Sequence, residues 1–214
     1  MIKAVLFDLD GTFADTAPDL AYALNVMRAG RKLPPVALEA TRPVTSRGAR
    51  GLLSVGFGLA PEDADYLPMR TEFLEIYARN LCRETALFPG IDELLANLES
   101  RGLAWGIVTN KAERYAKPLM TFLGLDSRCA CVVGGDTTPH MKPHPAPLLA
   151  AAQMLDLAPS ACLYVGDDRR DIDAGRAAGM RTIAVNYGYL DGGEPHAWGA
   201  DAVVDCPQDV LEHL

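Results

Sequence analysis

Short apolar runs and longer amphipathic segments alternate along this chain. Runs rich in Val, Ile and Ala stand at Lys3 to Phe7, Ala104 to Thr109, Cys129 to Gly134, Ala161 to Val165, Thr182 to Val185 and Ala202 to Val204. Runs this short, with little polar interruption, fit strands that are buried on both faces. Between most of them apolar residues recur at intervals of three and four, as at Ile91, Leu94, Leu95 and Leu98, and again at Tyr115, Leu119, Phe122 and Leu123. That spacing lays one apolar stripe along a helix. Gly102, Gly124 and Gly179 each follow a helical run, where a left-handed C-terminal cap favours a residue without a Cβ. Strand and helix in alternation predict βαβ units, hence an α/β fold on a parallel sheet.

The interval from Thr16 to Ala86 breaks the alternation. It holds no convincing Val/Ile run, but Tyr66, Met69, Phe73, Ile76 and Tyr77 within Pro61 to Leu81 carry helical spacing. This predicts a helical cap domain over 16–86, inserted into a core domain formed by 1–15 and 87–214. Thr16-Ala17-Pro18-Asp19 reads as its first helix start, with Thr16 as N-cap, proline in the first turn and an acid at the capping-box position. Arg42 to Gly58, with its many glycines, is expected to be its least regular part.

Bulk properties narrow the function classes. A chain of 214 residues suits one large domain, or a smaller domain carrying an insertion. A net charge of −8 argues against a nucleic-acid partner, which needs clustered Lys and Arg. Cys82, Cys129, Cys131, Cys162 and Cys206 form no CxxC pair and no zinc pattern with histidine, so reduced thiols are expected. His140 and His144 are four apart, but the intervening Pro143 forbids the helix that would bring them onto one metal. Trp105 and Trp198 are read as packing residues. The apolar start of the chain meets Asp8 too soon for a signal core or a membrane span, so a cytoplasmic protein without a membrane partner is expected.

In a parallel α/β sheet the ligand site lies at the carboxyl ends of the strands. The residues there are Asp8 and Asp10, then Thr109 and Asn110, then Gly134, Gly135, Asp136 and Lys142, then Asp167, Asp168 and Asp171. Asp8 and Asp10, two apart on an extended chain, share a face. Two such carboxylates in a cleft repel each other unless a cation intervenes. With Asp167 as a third oxygen donor and no Cys or His at those ends, the set suits Mg²⁺. A metal beside a carboxylate and an amine is an arrangement for phosphoryl transfer. In it Asp8 is the candidate nucleophile and Asp10 the candidate acid/base, while Thr109, Asn110, Lys142 and the backbone amides around Gly11 are candidate phosphate binders. Arg47 and Arg50 in the insertion are candidates for a substrate carboxylate. Asp173 is read as a first-turn helix acid.

DLDGT at 8–12, the Thr of IVTN at 107–110, the Lys of MKPHP at 141–145 and GDDRRD at 166–171 together resemble the four motifs of the haloacid dehalogenase-like phosphatase superfamily. The resemblance covers essentially the whole chain. It implies a Rossmann-like, three-layer core with a helical cap, an aspartyl-phosphate at Asp8, and Mg²⁺ held by Asp8, the Asp10 carbonyl and Asp167, with Asp171 steadying the metal's waters. Within the superfamily the chain resembles the phosphoglycolate phosphatase group. GARGLL, WGIVTNKAERYAKPLM, YVGDDRRDIDAGRAAGMRT and HAWGADAVVDCP are more similar still to the bacterial N-acetylmuramic acid 6-phosphate phosphatases of peptidoglycan recycling. The implied partner is therefore a small phosphate ester, with N-acetylmuramic acid 6-phosphate favoured over 2-phosphoglycolate. Two positions depart from the usual pattern. Phe13 stands where leucine is common, and Asp168 where many relatives carry serine, which adds a negative charge near the expected metal. A sugar phosphomutase shares the four motifs. A dehalogenase needs neither Asp10 nor Mg²⁺, and a phospho-receiver module carries its accepting aspartate on its third strand.

Overall fold

The computed structural model describes all 214 residues. Strand β1 (Ala4–Phe7) leads into a two-residue strand β2 (Ala14–Asp15), then helices α1 (Ala17–Gly30), α2 (Leu38–Thr41), α3 (Ala49–Phe57) and α4 (Tyr66–Ala78), then a second two-residue strand β3 (Ala86–Leu87). From there strand and helix alternate: α5 (Ile91–Ser100), β4 (Ala104–Val108), α6 (Glu113–Phe122), β5 (Val132–Val133), α7 (Ala146–Met154), β6 (Cys162–Gly166), α8 (Arg169–Ala177), β7 (Arg181–Val185) and β8 (Ala202–Val204). Six strands form one sheet in the order β5-β4-β1-β6-β7-β8, with every pairing parallel.

The central strand explains the three layers. All four residues of β1 are buried, and successive side chains of a strand point to opposite faces. Val5 and Phe7 join Ile107, Val165 and Ile183 against Ile91, Leu94, Leu95 and Leu98 of α5 and Met120 of α6. Ala4 and Leu6 face the other way, with Tyr164, towards Leu148 and Ala151 of α7 and Ala174 of α8. Burying a side chain of this size stabilises the fold by roughly 1.5–3 kcal/mol, so each face of β1 needs its own helical cover.

Helices α1, α3 and α4 pack on a separate cluster containing Leu20, Leu24, Met27, Leu52, Leu53, Phe73 and Tyr77. The chain leaves the core through β2 and returns through β3. These pair antiparallel, Ala14 opposite Leu87 and Asp15 opposite Ala86, so the two connections run side by side. No helix is long and apolar enough to cross a membrane.

Three local expectations need correction. The segment Arg42 to Gly58 is not irregular, because Arg42–Arg47 forms a 3₁₀ helix and Ala49–Phe57 an α-helix. Part of its glycine content answers to packing instead: a Cβ on Gly56 would lie 2.5 Å from Leu24 Cδ1, so glycine lets α3 approach α1. Thr16 precedes α1, but its side chain makes no capping hydrogen bond. Its hydroxyl donates to Asp10 Oδ1 at 2.5 Å, and the supposed capping-box acid, Asp19, is fully buried and engaged elsewhere. The run Cys129 to Gly134 shrinks to Val132–Val133, an edge strand with one neighbour to hold it.

Candidate active site

Register sets the stage. Phe7 lies opposite Ile107 on one side and Val165 on the other, so the chain steps out of β1, β4 and β6 at one level. There it delivers Asp8, Thr109 and Asp167 to the same end of the sheet. These are neighbouring strands whose connections diverge to either side of β1, the crevice where open α/β sheets bind ligands.

Carboxylate oxygens of Asp8, Asp167 and Asp171 all lie within 4.8 Å of one another, and all three residues are buried. One ammonium faces them. Lys142, only 3 % exposed, donates from Nζ to Asp171 Oδ1 at 2.6 Å and to Asp8 Oδ1 at 2.8 Å. Its Nζ also lies 2.7 Å from the Tyr164 hydroxyl and 3.0 Å from the Val108 carbonyl. Burial opposes the charge on Lys142, yet Asp171 and Asp8 hold its pKa above the ordinary lysine value. Tyr164 donates to the Val108 carbonyl at 2.7 Å. Burial, then the nearby carboxylates of Asp171 and Asp8, keep that phenol protonated well above its usual range.

Three carboxylates against one ammonium leave the cluster short of positive charge, and the acids register this. Burial pushes the Asp171 carboxyl up to about 7, with Asp8 adding to the rise and Lys142 opposing it. Burial, then Asp8 and Asp171, raise Asp167 well above the carboxylate range. Oxygen-only donors, buried and carrying uncompensated negative charge, fit a hard divalent cation. Asp167 is held in place for such a role: Thr12 Oγ1 donates to its Oδ1 at 2.9 Å and the Tyr189 amide to its Oδ2 at 2.8 Å.

Gly11 packs against this clamp. Its amide donates to the Ala14 carbonyl at 3.1 Å. Its φ is +94°, and a Cβ there would sit 2.2 Å from Asp167 Oδ2. Asn110, the other expected phosphate binder, is spent on the backbone of Lys142: its Nδ2 donates to the Lys142 carbonyl and its Oδ1 accepts the Lys142 amide, both at 2.9 Å. It fixes the loop that delivers the lysine. Thr109 is buried, and its hydroxyl oxygen accepts the Lys111 amide at 3.1 Å.

Asp8 and Asp10 face one cavity of about 630 Å³ between the sheet end and the helical insertion, but with different partners. Asp10 Oδ1 accepts from Lys111 Nζ at 2.6 Å as well as from Thr16. Burial opposes the Lys111 charge, and Asp10 outweighs it, so the lysine pKa lies above its ordinary value. The Lys111 ammonium stands 4.9 Å from the ring centroid of Tyr77 on α4. Sequence reading passed over Lys111, although it stands two residues beyond Thr109 at a strand end, the position that marked the other candidates.

The charge of Asp168 is met chiefly by Arg170, although it still adds to the rise at Asp171. Its side chain caps α8 by accepting the Arg170 amide at 2.8 Å, and the Arg170 guanidinium grips both of its oxygens at 2.8 and 2.7 Å. Burial alone would raise its pKa, but the Arg170 guanidinium holds it below the usual value. Asp171 completes the capping box by accepting the Asp168 amide. Of the two arginine candidates, Arg47 pairs with Asp191 at 2.5 Å, while Arg50 lines the cavity with no carboxylate beside it. The His140 and His144 ring centroids lie 4.3 Å apart, tilted by 35°, outside that cavity.

Three buried carboxylates and a lysine at the switch point of a parallel sheet make an acidic cluster of the kind found in metal-dependent α/β enzymes. The sequence profile of haloacid dehalogenase-like hydrolases matches residues 5–185. The chain belongs to that family, and it is an enzyme of the phosphatase kind that its full-length relatives are. It is 45% identical over 214 residues to the N-acetylmuramic acid 6-phosphate phosphatase of Pseudomonas aeruginosa, covering 100% of this chain and 95% of that one. It is also 45% identical to a phosphoglycolate phosphatase of Xanthomonas campestris, covering 98% and 95%. Among solved structures, one described as a predicted phosphoglycolate phosphatase from Haemophilus somnus superposes with a TM-score of 0.87 at 29% identity, covering 99% of this chain and 97% of that one.

Proposed function

We propose that this protein is a Mg²⁺-dependent phosphomonoesterase that works through an aspartyl-phosphate on Asp8, and that its substrate is N-acetylmuramic acid 6-phosphate, with 2-phosphoglycolate the second choice. The observation that carries the reading is the convergence of Asp8, Asp167 and Asp171 with Lys142 at one end of the sheet, in a chain that matches phosphatases over its whole length. Asp8 and Asp167, with the Asp10 carbonyl, would hold Mg²⁺, which when bound offsets the repulsion between an attacking carboxylate and an anionic phosphate.

The chain's own groups divide the remaining work. The Asp8 carboxylate attacks phosphorus and the ester oxygen leaves with a proton from Asp10, which then takes a proton from the water that hydrolyses the acyl-phosphate. Lys142 and Thr109 stabilise the phosphate oxygens, and Lys142, already bound to Asp8, orients the nucleophile. Lys111 holds Asp10 at the cavity wall until substrate binds. The helical insertion, as a cap, excludes bulk water while the acyl-phosphate forms.

The test is a set of initial rates on N-acetylmuramic acid 6-phosphate, 2-phosphoglycolate and p-nitrophenyl phosphate, with Mg²⁺ and with EDTA. Phosphate release that is fastest on the first and lost with EDTA is expected. Full activity in EDTA contradicts the metal dependence, and isomerised phosphosugar in place of free phosphate makes the protein a mutase.

A further inference from the structure

Asp10 is the acid/base of the proposed reaction, and a carboxyl group has two oxygens that could carry its proton. The structure treats them unequally. Oδ1 accepts two short hydrogen bonds, from Thr16 Oγ1 at 2.5 Å and from Lys111 Nζ at 2.6 Å. Oδ2 accepts none, and it is not among the chain's buried atoms without a partner, so it is open to the cavity that Asp10 lines. Charge-assisted hydrogen bonds are roughly twice as strong as neutral ones. Two of them on one oxygen fix the rotation of the carboxyl and leave the other oxygen to react.

Lys111 is held as firmly as the group it holds. Its side chain is only 7 % exposed, and its backbone is fastened on both sides: the amide donates to Thr109 Oγ1 at 3.1 Å and the carbonyl accepts the Gly135 amide at 2.9 Å. The Tyr77 phenol is its other neighbour, with Nζ 4.9 Å from the ring centroid. Asp10 is the one carboxylate that Lys111 pairs with, and Lys111 the one cation that pairs with Asp10. Lys142 serves Asp8 and Asp171 instead. The two lysines therefore divide the nucleophile from the acid/base.

We propose that Lys111 is a positioning residue for the reaction: it pins Asp10 Oδ1, so that Oδ2 is the atom that moves the proton. An ester entering the cavity meets an acid whose reactive oxygen already faces it. In the first half, the bond from phosphorus to the alcohol oxygen breaks as the bond from Asp8 forms, and the Oδ2 proton passes to the departing oxygen. In the second half, water attacks phosphorus, its proton goes to Oδ2, and Asp8 is released with inorganic phosphate. Lys111 gives up no proton in either half. The inference rests on the phosphomonoesterase reading and adds to it the atom that carries the proton.

The leaving group separates this role from simple phosphate binding. An alkoxide needs the proton of Asp10, whereas p-nitrophenolate is a weak enough base to leave without it. The measurement is kcat/KM, which covers only the steps up to alcohol release. It is taken on p-nitrophenyl phosphate and on whichever of N-acetylmuramic acid 6-phosphate and 2-phosphoglycolate the wild type hydrolyses faster, with Mg²⁺ throughout. Lys111→Met is expected to lose roughly tenfold to a hundredfold on the alkyl ester and to stay within about threefold of the wild type on the aryl ester. Lys111→Gln, polar but shorter, should show the same selective loss. In an Asp10→Asn background, adding Lys111→Met should cost little more, because the residue it positions is already disabled. Both esters are read on one preparation, so partly unfolded protein lowers the two rates together and cannot imitate the pattern. Equal losses on the two esters in a variant that melts like the wild type, or losses that multiply in the Asp10→Asn background, overturn the positioning role and leave the phosphatase standing. A wild type that releases no phosphate from any of the three esters overturns the phosphatase reading itself.

Discussion

Asp171 concentrates the electrostatic problem of this fold in one side chain. It is buried beside Asp8, it balances Lys142, and its carboxyl is pushed up to about 7. A carboxyl raised in the folded state binds its proton more tightly than in the unfolded chain. Its contribution to stability is therefore fully present below about pH 4 and is lost as the pH rises through about 7. In chelator-treated protein, the melting temperature of the wild type should fall relative to that of Asp171→Asn across this window, as read by thermal melts at stepped pH. Parallel curves for the two proteins would contradict the assignment. Asp8 and Asp167 could be picked from the sequence because each follows an apolar run directly, so chain position alone puts it at a strand end. Lys111 and Tyr77 could not be paired that way: their contact joins α4 to the loop after β4, and no local pattern encodes it.

At the scale of elements, the junction between the helical insertion and the sheet is held by polar contacts as well as by strand pairing. Asp19, at the start of α1, accepts the amides of Arg83, Glu84 and Thr85 and the Thr85 hydroxyl, at 2.6–3.2 Å. This ties the outgoing connection to the returning one. From the core, the Tyr189 hydroxyl accepts the amides of Thr16 and Ala17 and donates to Asp15, which Arg42 grips at 2.9 and 2.8 Å. Asp19→Ala strands four donors, the two of Thr85 in a buried place and those of Arg83 and Glu84 part-buried, and should cost about 3 kcal/mol. For a chain of this size that is a fall of roughly 6–12 °C in melting temperature, while a wild-type melting point would refute the clamp. The long elements were legible because their apolar spacing is strong. The two-residue strands β2 and β3 carry no periodicity, and Asp19 resembled a capping acid because its neighbours spell a helix start.

For the molecule as a whole, a parallel sheet brings Asp8, Asp167, Asp171 and Lys142 to one end, and a helical insertion faces them across a cavity of about 630 Å³. The core was readable from the sequence because its strand ends hold the motif residues in a fixed order. The extent of the helical insertion was readable as well, but not the wall it helps to build, where Arg50 of α3, Arg70 and Tyr77 of α4 and Arg114 of α6 meet only at the cavity. The central claim is that Asp8 becomes covalently phosphorylated. Its most direct test is acid-quenched wild-type protein, mixed with substrate and Mg²⁺, digested and weighed peptide by peptide, alongside turnover by Asp8→Asn. The account predicts one phosphoryl group on the peptide containing Asp8, and a loss of turnover of about 10⁴-fold or more in the variant. A phosphoryl group on any other residue, or an Asp8→Asn protein that turns over like the wild type, would contradict it.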